Sequence, residues 1–270
     1  MKPLYSFSAL FLFLFLLTNC NRGPYAETNR TYKKQAKELV KGLRKLPSDS
    51  LSTMPWAAGT VNFNLRKPNF VIIHHTAQNS CEQTLKTFTS AQSKVSAHYV
   101  ICRDGTVHHM LNDYFRAAHA GVGRWGNTTD INSSSIGIEL DNNGFEPFPE
   151  IQLASLANVL QSLKTTHSIP TSNFIGHSDI APTRKVDPNV QFPWKPFADM
   201  GYGLWWSDTT NMQVPEGFNH LQALRIIGYD IKDPGAAIAA FKRKYLQVDK
   251  SKELTPADTK VLFSLYQKFL

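Results

Sequence analysis

Short apolar runs and helical stretches alternate through the middle of the chain. Apolar runs bounded by turn residues are typical of buried strands, and five occur: Asn69–His75, Ala97–Arg103, Thr106–Met110, Ser135–Leu140 and Asn173–His177. Helices are predicted at Cys81–Ser90 and, from apolar residues at helical spacing, at Glu150–Thr166. The dipeptide Asp104-Gly105 separates the second and third runs and indicates a hairpin. The pattern from Val61 to about Phe197 therefore predicts a mixed α/β fold.

Strand signals end near Tyr202, and only helical patterns follow. Three helices are predicted, at Glu216–Ile227, Pro234–Tyr245 and Pro256–Phe269. The last two each begin with a capping residue followed by proline, Asp233-Pro234 and Thr255-Pro256, which is typical of helix starts. Residues 199–270 are therefore predicted to form a small C-terminal three-helix domain.

The first twenty residues have the pattern of an export signal. A positive start at Lys2 precedes the apolar run Ala9–Leu17, which is too short to span a bilayer. Leu17-Thr18-Asn19-Cys20 resembles a bacterial lipobox, although Asn19 replaces the usual small residue. We expect a signal peptide over residues 1–19, lipidation at Cys20 and a basic tether over 20–55 with a helix around Lys33–Leu46. An ordinary signal peptide or a buried N-terminus are the alternatives.

Composition limits the classes to which the protein can belong. The 270 residues predict one or two domains at roughly 150 residues each. A hydrophobic content of 42% allows a sizeable core, and a charged content of 19% excludes a disordered chain. No apolar stretch approaches the roughly 20 residues of a membrane span, which excludes a polytopic membrane protein. The net charge of +8 suits an anionic partner such as nucleic acid, acidic lipid or a cell-wall polymer. Cys81 and Cys102 can form at most one disulfide between them.

Two histidines and one aspartate are candidates for a metal site. His74 and His177 each end a predicted strand, and Pro182 and Pro188 stiffen the loop that leads to Asp187. Two imidazoles and one carboxylate leave a fourth tetrahedral position for water, as catalytic zinc requires. The alternative is that these histidines are satisfied surface or core residues.

Three segments carry a resemblance to a known family. They are Val71–Ala77 (Val-Ile-Ile-His-His-Thr-Ala), Ser135–Leu140 (Ser-Ile-Gly-Ile-Glu-Leu) and Gly176–Pro188 (Gly-His-Ser-Asp-Ile-Ala-Pro-Thr-Arg-Lys-Val-Asp-Pro). They resemble the zinc-dependent N-acetylmuramoyl-L-alanine amidases of the type 2 family, which includes phage lysozyme-amidases and peptidoglycan recognition proteins. The likeness covers Trp56 to Phe197 and is greatest to the AmiD-type lipoprotein amidases. It implies a mixed central β-sheet flanked by helices, with an amidase domain over residues 56–198.

The resemblance also implies residue roles. The zinc ligands fall on His74, His177 and Asp187, with one zinc per chain. Glu139 accepts a proton from water and delivers it to the leaving amine, and Lys185 faces the developing oxyanion. The plain alternatives are a salt-bridged strand-end carboxylate and a solvated loop charge. Adjacent strand residues point to opposite faces, so His75 is expected to pack or to support the site from behind.

Weaker likenesses concern substrate contacts and the C-terminal domain. His98, His119 and Asn132 match positions near the substrate groove, with loop stabilisation as the alternative for the last two. Ala97 stands where phage and animal relatives carry tyrosine. Residues 236–245 and 254–262 resemble peptidoglycan-binding modules, and a structural cap on the amidase domain is the alternative.

These observations predict an enzyme of the bacterial envelope. The expected reaction is hydrolysis of the amide bond between N-acetylmuramic acid and L-alanine in peptidoglycan or its fragments. The alternatives are a zinc peptidase acting on the stem peptide and a non-catalytic peptidoglycan-recognition lipoprotein. We expect a monomer anchored by lipid at Cys20, in the outer membrane and facing the periplasm, because Asn21 is not the aspartate that often retains lipoproteins in the inner membrane. Nucleic acid is not an expected partner.

Overall fold

The structure, a computed structural model, describes residues 23–44, 60–248 and 250–270. The described strands are β1 (Phe70–His75), β2 (Tyr99–Ile101), β3 (Val107–His109), β4 (Ser135–Leu140) and β5 (Phe174–Gly176). The described helices are α1 (Ala26–Leu43), α2 (Cys81–Thr89), α3 (Glu150–His167), α4 (His177–Ile180), α5 (Trp194–Asp199), α6 (His220–Ile227), α7 (Pro234–Tyr245) and α8 (Pro256–Tyr266). The chain divides into one unit that ends at Val61 and a second from Asn62 to Leu270.

The five described strands form one mixed sheet in the order β3-β2-β4-β1-β5. Strand β1 runs parallel to β4 and β5, and β2 runs parallel to β4. Strand β3 pairs antiparallel with β2 across the predicted Asp104-Gly105 hairpin. The prediction of a mixed central sheet flanked by helices is therefore confirmed.

Alternate residues of β1 enter two different hydrophobic cores. Val71 and Ile73 pack on the side of α3, with its buried Leu156 and Leu160. Phe70 and Ile72 face the other way and share a core with buried residues of α6, α7 and α8: Ala223, Leu224, Ala237, Phe241, Leu262 and Leu265. Since side chains alternate along a strand, His74 continues the face of Ile72, and His75 continues the face of Ile73.

The three predicted C-terminal helices are present, with one shifted start. Asp233 and Thr255 cap α7 and α8 by accepting hydrogen bonds from backbone N–H groups, as their sequence predicted. Helix α6 begins at His220 rather than Glu216, because Pro215 and Phe218 form a turn and Asn219 provides the cap. These helices share a core with β1, and the domain boundary at residues 198 and 199 stays a prediction.

The N-terminal unit contributes helix α1, in the region where a helix around Lys33–Leu46 was expected. No residue of α1 is buried. The signal peptide, Cys20, and the tether on either side of this helix lie outside the described residues, so those predictions stay predictions. In the described part of the chain, no helix has the length and apolar character needed to cross a membrane.

A disulfide joins Cys81 to Cys102, a pairing that the sequence left open. Cys81 is the first residue of α2, and Cys102 directly follows β2. The bond therefore ties the start of α2 to the sheet.

Candidate active site

The predicted site residues meet at one edge of the sheet. His74 and Glu139 lie opposite each other in the register of parallel strands β1 and β4, and His177 directly follows β5. Because the carboxyl ends of parallel strands share an edge, this is where ligands bind in open α/β sheets. Strand β5 was expected to include His177, but it ends at Gly176 and His177 is the first residue of α4, because the Gly176 N–H donates to the Asp179 carboxylate.

His74, His177 and Asp187 form a tight triangle of ligand atoms. The His74 Nδ1 lies 2.9 Å from the His177 Nδ1 and 3.1 Å from Asp187 Oδ2, and the His177 Nδ1 lies 3.0 Å from the same oxygen. The three residues are only 1%, 2% and 7% exposed. Ring nitrogens and a carboxylate oxygen in this arrangement could hold a metal ion.

Hydrogen bonds on the outer side determine which His177 nitrogen carries the proton. The His177 Nε2 lies 2.9 Å from the carbonyl oxygen of Ala120, which can only accept. The proton of a neutral ring is therefore on Nε2, and Nδ1 presents a lone pair to the triangle.

The position of the ring proton of His74 follows in the same way, from a longer chain of hydrogen bonds. The Ser135 hydroxyl donates to the Ile131 carbonyl at 2.6 Å, so it must accept from His119 Nε2 at 3.1 Å. The His119 Nδ1 is then free to accept from His74 Nε2 at 3.0 Å. This leaves the His74 Nδ1 unprotonated as well.

Three lone-pair atoms thus converge without a proton between them. Burial, followed by the neighbouring His177, lowers the pKa of His74 to about 4, which keeps this ring neutral near pH 7. The lone pairs of these three atoms repel one another, and a cation bound between them would replace this repulsion by attraction. A second group, Cys81, Cys102 and His108, also comes together, but its sulfurs form the disulfide and offer no thiolate.

Glu139 stands beside the triangle without belonging to it. Its Oε1 lies 3.9 Å from the His74 Nδ1, too far for a hydrogen bond. Burial, followed by the charge of Asp187, raises the pKa of Glu139 to about 8, while Lys185 acts in the opposite direction. Glu139 and Lys185 both line a cavity of about 390 Å³ that also contains the three triangle residues. The predicted catalytic pair and the predicted ligands therefore share one cavity.

The three predicted substrate contacts have other partners in this structure. His98 is fully buried, with Nε2 bonded to the Phe115 carbonyl and Nδ1 accepting from the Gly137 N–H, so neither nitrogen is available to a substrate in this conformation. Asn132 Oδ1 accepts from the N–H groups of His119 and Ala120. Asn132 therefore supports this loop, and its predicted contact with a substrate stays a prediction.

His119 lines the cavity and also positions His74. The residues that hold His119 itself were not predicted from the sequence. The Ser135 hydroxyl contacts its ring, and a Cβ on Gly137 would overlap the His119 Cγ, so only glycine leaves room for the imidazole. The signal was present in β4, where Ser135, Gly137 and Glu139 alternate with Ile136, Ile138 and Leu140 and make one face of the strand small or polar.

His75 lies on the opposite face, as strand alternation predicted. Its Nδ1 accepts a hydrogen bond from the backbone N–H of Asn189, two residues after Asp187. It therefore supports the loop that carries Asp187.

Comparisons with known proteins agree with this geometry. A family model described as N-acetylmuramoyl-L-alanine amidase matches residues 64–190. The chain is 31% identical over 187 residues to the N-acetylmuramoyl-L-alanine amidase AmiD of Escherichia coli, a match that covers 60% of this chain and 67% of that protein. The chain belongs to the N-acetylmuramoyl-L-alanine amidase family. The prediction of a type 2, AmiD-like amidase is thereby confirmed.

Further relatives match the amidase region or the fold. The 1,6-anhydro-N-acetylmuramyl-L-alanine amidase AmpD of Haemophilus influenzae is 38% identical over 107 residues, which cover 38% of this chain and 57% of that protein. The solved structure of AmiD from E. coli has a TM-score of 0.68 at 24% identity and covers 78% of this chain and 93% of that one. AmpDh3 from Pseudomonas aeruginosa has a TM-score of 0.69 at 24% identity, covering 83% and 99%. These two structures show that the fold is shared.

Proposed function

We propose that the protein hydrolyses the amide bond between N-acetylmuramic acid and L-alanine, with one zinc ion held by His74, His177 and Asp187. The observation that carries the proposal is the triangle of unprotonated ligand atoms beside Glu139. Ligand atoms roughly 2.0–2.1 Å from a tetrahedral zinc lie about 3.3 Å apart, slightly wider than the 2.9–3.1 Å between these atoms. Two imidazoles, one carboxylate and an open fourth position form the donor set of a catalytic zinc site.

Zinc in this position supplies Lewis acidity, which polarises an amide carbonyl and makes water more acidic. The proton movements belong to Glu139. Its carboxylate takes a proton from the attacking water in the cavity and returns it to the nitrogen of the leaving L-alanine. A raised pKa makes the Glu139 carboxylate a stronger base, which suits the first of these steps, the removal of a proton from water.

Lys185 is the second proposed catalytic residue. It lines the same cavity as Glu139, and its positive charge acts to lower the pKa of both Glu139 and His74. A positive charge in this position stabilises the negative oxygen that develops on the scissile carbonyl.

The proposed substrate is a muropeptide. The AmiD structure is a complex with the substrate anhydro-N-acetylmuramic acid-L-Ala-D-gamma-Glu-L-Lys, and AmpDh3 has been solved with an anhydromuramic pentapeptide. The presence of all three ligand residues together with Glu139 argues against a protein that only binds peptidoglycan. A zinc peptidase acting on the stem peptide is distinguished by its products.

Product analysis tests this proposal. The full chain, loaded with zinc, is incubated with a purified muropeptide, and the products are identified by mass spectrometry. We expect a sugar that retains its lactyl carboxylate and an intact stem peptide with a free L-alanine amine. Shortened stem peptides that remain attached to the sugar would identify a peptidase, and unchanged muropeptide that nevertheless binds would identify a recognition protein.

We further propose that Cys20 is lipidated and anchors the protein at the outer membrane, facing the periplasm. Only the sequence supports this, through the apolar run and the lipobox-like Leu17–Cys20. Labelled palmitate should enter the wild-type chain in a bacterial host and should not enter the Cys20→Ala chain. Since the ligands begin more than fifty residues later, Cys20→Ala should leave the membrane fraction and keep its amidase activity.

A further inference from the structure

A buried ion pair connects the C-terminal helices to the turn that carries His177. The Lys244 Nζ lies 3.1 Å from Asp179 Oδ2, and the two side chains are 3% and 0% exposed. The Tyr229 hydroxyl donates to the other carboxylate oxygen, Asp179 Oδ1, at 2.8 Å. Lys244 lies in the last turn of α7, and Tyr229 lies between α6 and α7. Two of the partners of Asp179 therefore come from residues 199–270.

Asp179 in turn holds the backbone of the ligand segment. Its Oδ2 accepts from the Gly176 N–H at 2.7 Å, which fixes the start of α4 at His177. Two residues after Gly176, the Ser178 N–H donates to the Asp187 carbonyl at 2.8 Å. This bond joins the backbone beside one proposed ligand to the backbone of another, so the position of α4 affects both His177 and Asp187.

We propose that Lys244 and Tyr229 are positioning residues of the metal centre, which act by fixing Asp179 and with it the His177 ligand. This inference rests on the zinc site proposed above. It gives the C-terminal helices a role in metal binding, in addition to any contact that they make with peptidoglycan.

Because the Lys244–Asp179 ion pair is buried, removing Lys244 should weaken zinc binding. A buried carboxylate is stable only with hydrogen bonds and a compensating charge. Lys244 provides that charge, and its ammonium also lies 4.2 Å from the centre of the Trp194 ring. Without Lys244, Asp179 can recover solvation only by moving toward water, and α4 with His177 must move with it.

Helix α7 offers a matched control. Lys242 is also buried, and its ammonium lies 2.7 Å from Asp258 Oδ2 in α8 and 2.9 Å from the Glu253 carbonyl. Its ion pair therefore connects α7 to the C-terminal end of the chain and not to α4. Lys244→Met and Lys242→Met each remove one buried charge from the same helix, and only the first touches the ligand segment.

Zinc affinity of the full chain, measured by competition with a chelator at a temperature where every variant is folded, tests the inference. Supporting residues around a metal site typically contribute about 10–100-fold in affinity, and we expect a loss of that size in Lys244→Met. Lys242→Met should bind zinc like the wild type even though it unfolds more easily. Equal affinity in Lys244→Met and wild type would overturn the inference, and so would equal losses in both variants.

A second readout reports the ligand geometry directly. Cobalt(II) replaces zinc, and its visible absorption depends on how the ligands are arranged. We expect an altered cobalt spectrum in Lys244→Met and an unchanged one in Lys242→Met. If Lys244→Met does not fold, Tyr229→Phe takes its place, because it removes one hydrogen bond and keeps the ion pair. Its affinity loss should be smaller but measurable, and a wild-type affinity would overturn the inference. A wild-type chain that binds no zinc would contradict the proposed function instead.

Discussion

The two faces of the sheet are built from alternate residues of the same strands, but apolar packing organises one face and directional hydrogen bonds organise the other. The α3 face, made of Val71, Ile73, Ile136, Ile138 and Leu140, packs against α3 and is apolar except for His75 at the end of β1. The site face, made of Ser135, Gly137, Glu139 and His74, meets the ring of His119, the side chains of His177 and Asp187, and the cavity. Apolar packing is non-directional, whereas each bond on the site face has one donor and one acceptor.

This difference predicts two kinds of mutational effect. A change on the α3 face should reduce the free energy of unfolding and leave metal binding and chemistry intact. A change on the site face should affect metal binding or turnover more than stability. Four predictions follow from this contrast, from the largest expected effect to the smallest.

Removing a ligand should have the largest effect. His74→Ala should lose both zinc and hydrolysis, because two ligand atoms do not form the closed donor set of the triangle. Its neighbour on the α3 face is the control: Ile73→Val should cost about 0.5–1.5 kcal/mol of unfolding free energy and keep zinc and activity. Metal analysis and muropeptide turnover of both variants provide the measurement. A His74→Ala protein with full zinc occupancy would contradict the ligand assignment.

Removing the proton carrier should separate chemistry from metal binding. Glu139→Gln keeps the shape of the side chain but cannot accept a proton, so turnover should fall by about 10²–10⁴ while substrate binding changes little. Zinc content should stay at one per chain, because Glu139 lies outside the triangle.

Either of two results would reject this assignment. A zinc-free Glu139→Gln protein would make the carboxylate a ligand. Near-normal turnover would move the base elsewhere, and His98 could not replace it in this conformation, because its Nδ1 already accepts from Gly137.

Local sequence signals were sufficient to locate the five strands, apart from the end of β5, and to assign His74 and His75 to opposite faces. The two-residue repeat of β1 separated His74 from His75, and the structure places them on opposite faces. Capping residues before proline located the starts of α7 and α8 for the same reason, since the bonds they form span only three residues.

The hydrogen bonds that orient the site residues could not be predicted from local sequence signals. His119 reaches His74 across 45 residues, and Lys244 reaches Asp179 across 65. These contacts exist only after the strands and helices have assembled, and no local pattern specifies them. His177 shows the same limit, because a local pattern extended β5 through it, whereas the side chain of Asp179 ends the strand one residue earlier.

Filling the space above Gly137 should disturb His119 and, through it, His74. In Gly137→Ala the new methyl group would overlap the imidazole, so His119 must shift and its bond to His74 Nε2 is lost. We expect zinc affinity to fall by about 10–100-fold, the usual effect of removing support from a ligand. Ile138→Val, one residue further and on the α3 face, is the control. If both variants bind zinc like the wild type, His119 does not position His74.

Removing the disulfide should have the smallest effect on zinc binding. This change tests whether the site face keeps its structure when α2, which lines the cavity, is held less firmly. Helix α2 provides Thr84, Thr87 and Phe88 to the cavity but none to the triangle. Cys81 and Cys102 are separated by 21 positions, and a bridge closing a loop of that size stabilises a fold by about 3 kcal/mol. The double variant Cys81→Ser/Cys102→Ser should therefore unfold at lower denaturant concentration and should bind zinc with unchanged affinity. Because α2 is then held less firmly, KM for a muropeptide should rise while kcat stays within about twofold, the signature of lost ground-state binding. A loss of zinc in this variant would show that α2 and the metal centre form one cooperative unit. The contrast between apolar packing and directional hydrogen bonds would then apply only to the sheet.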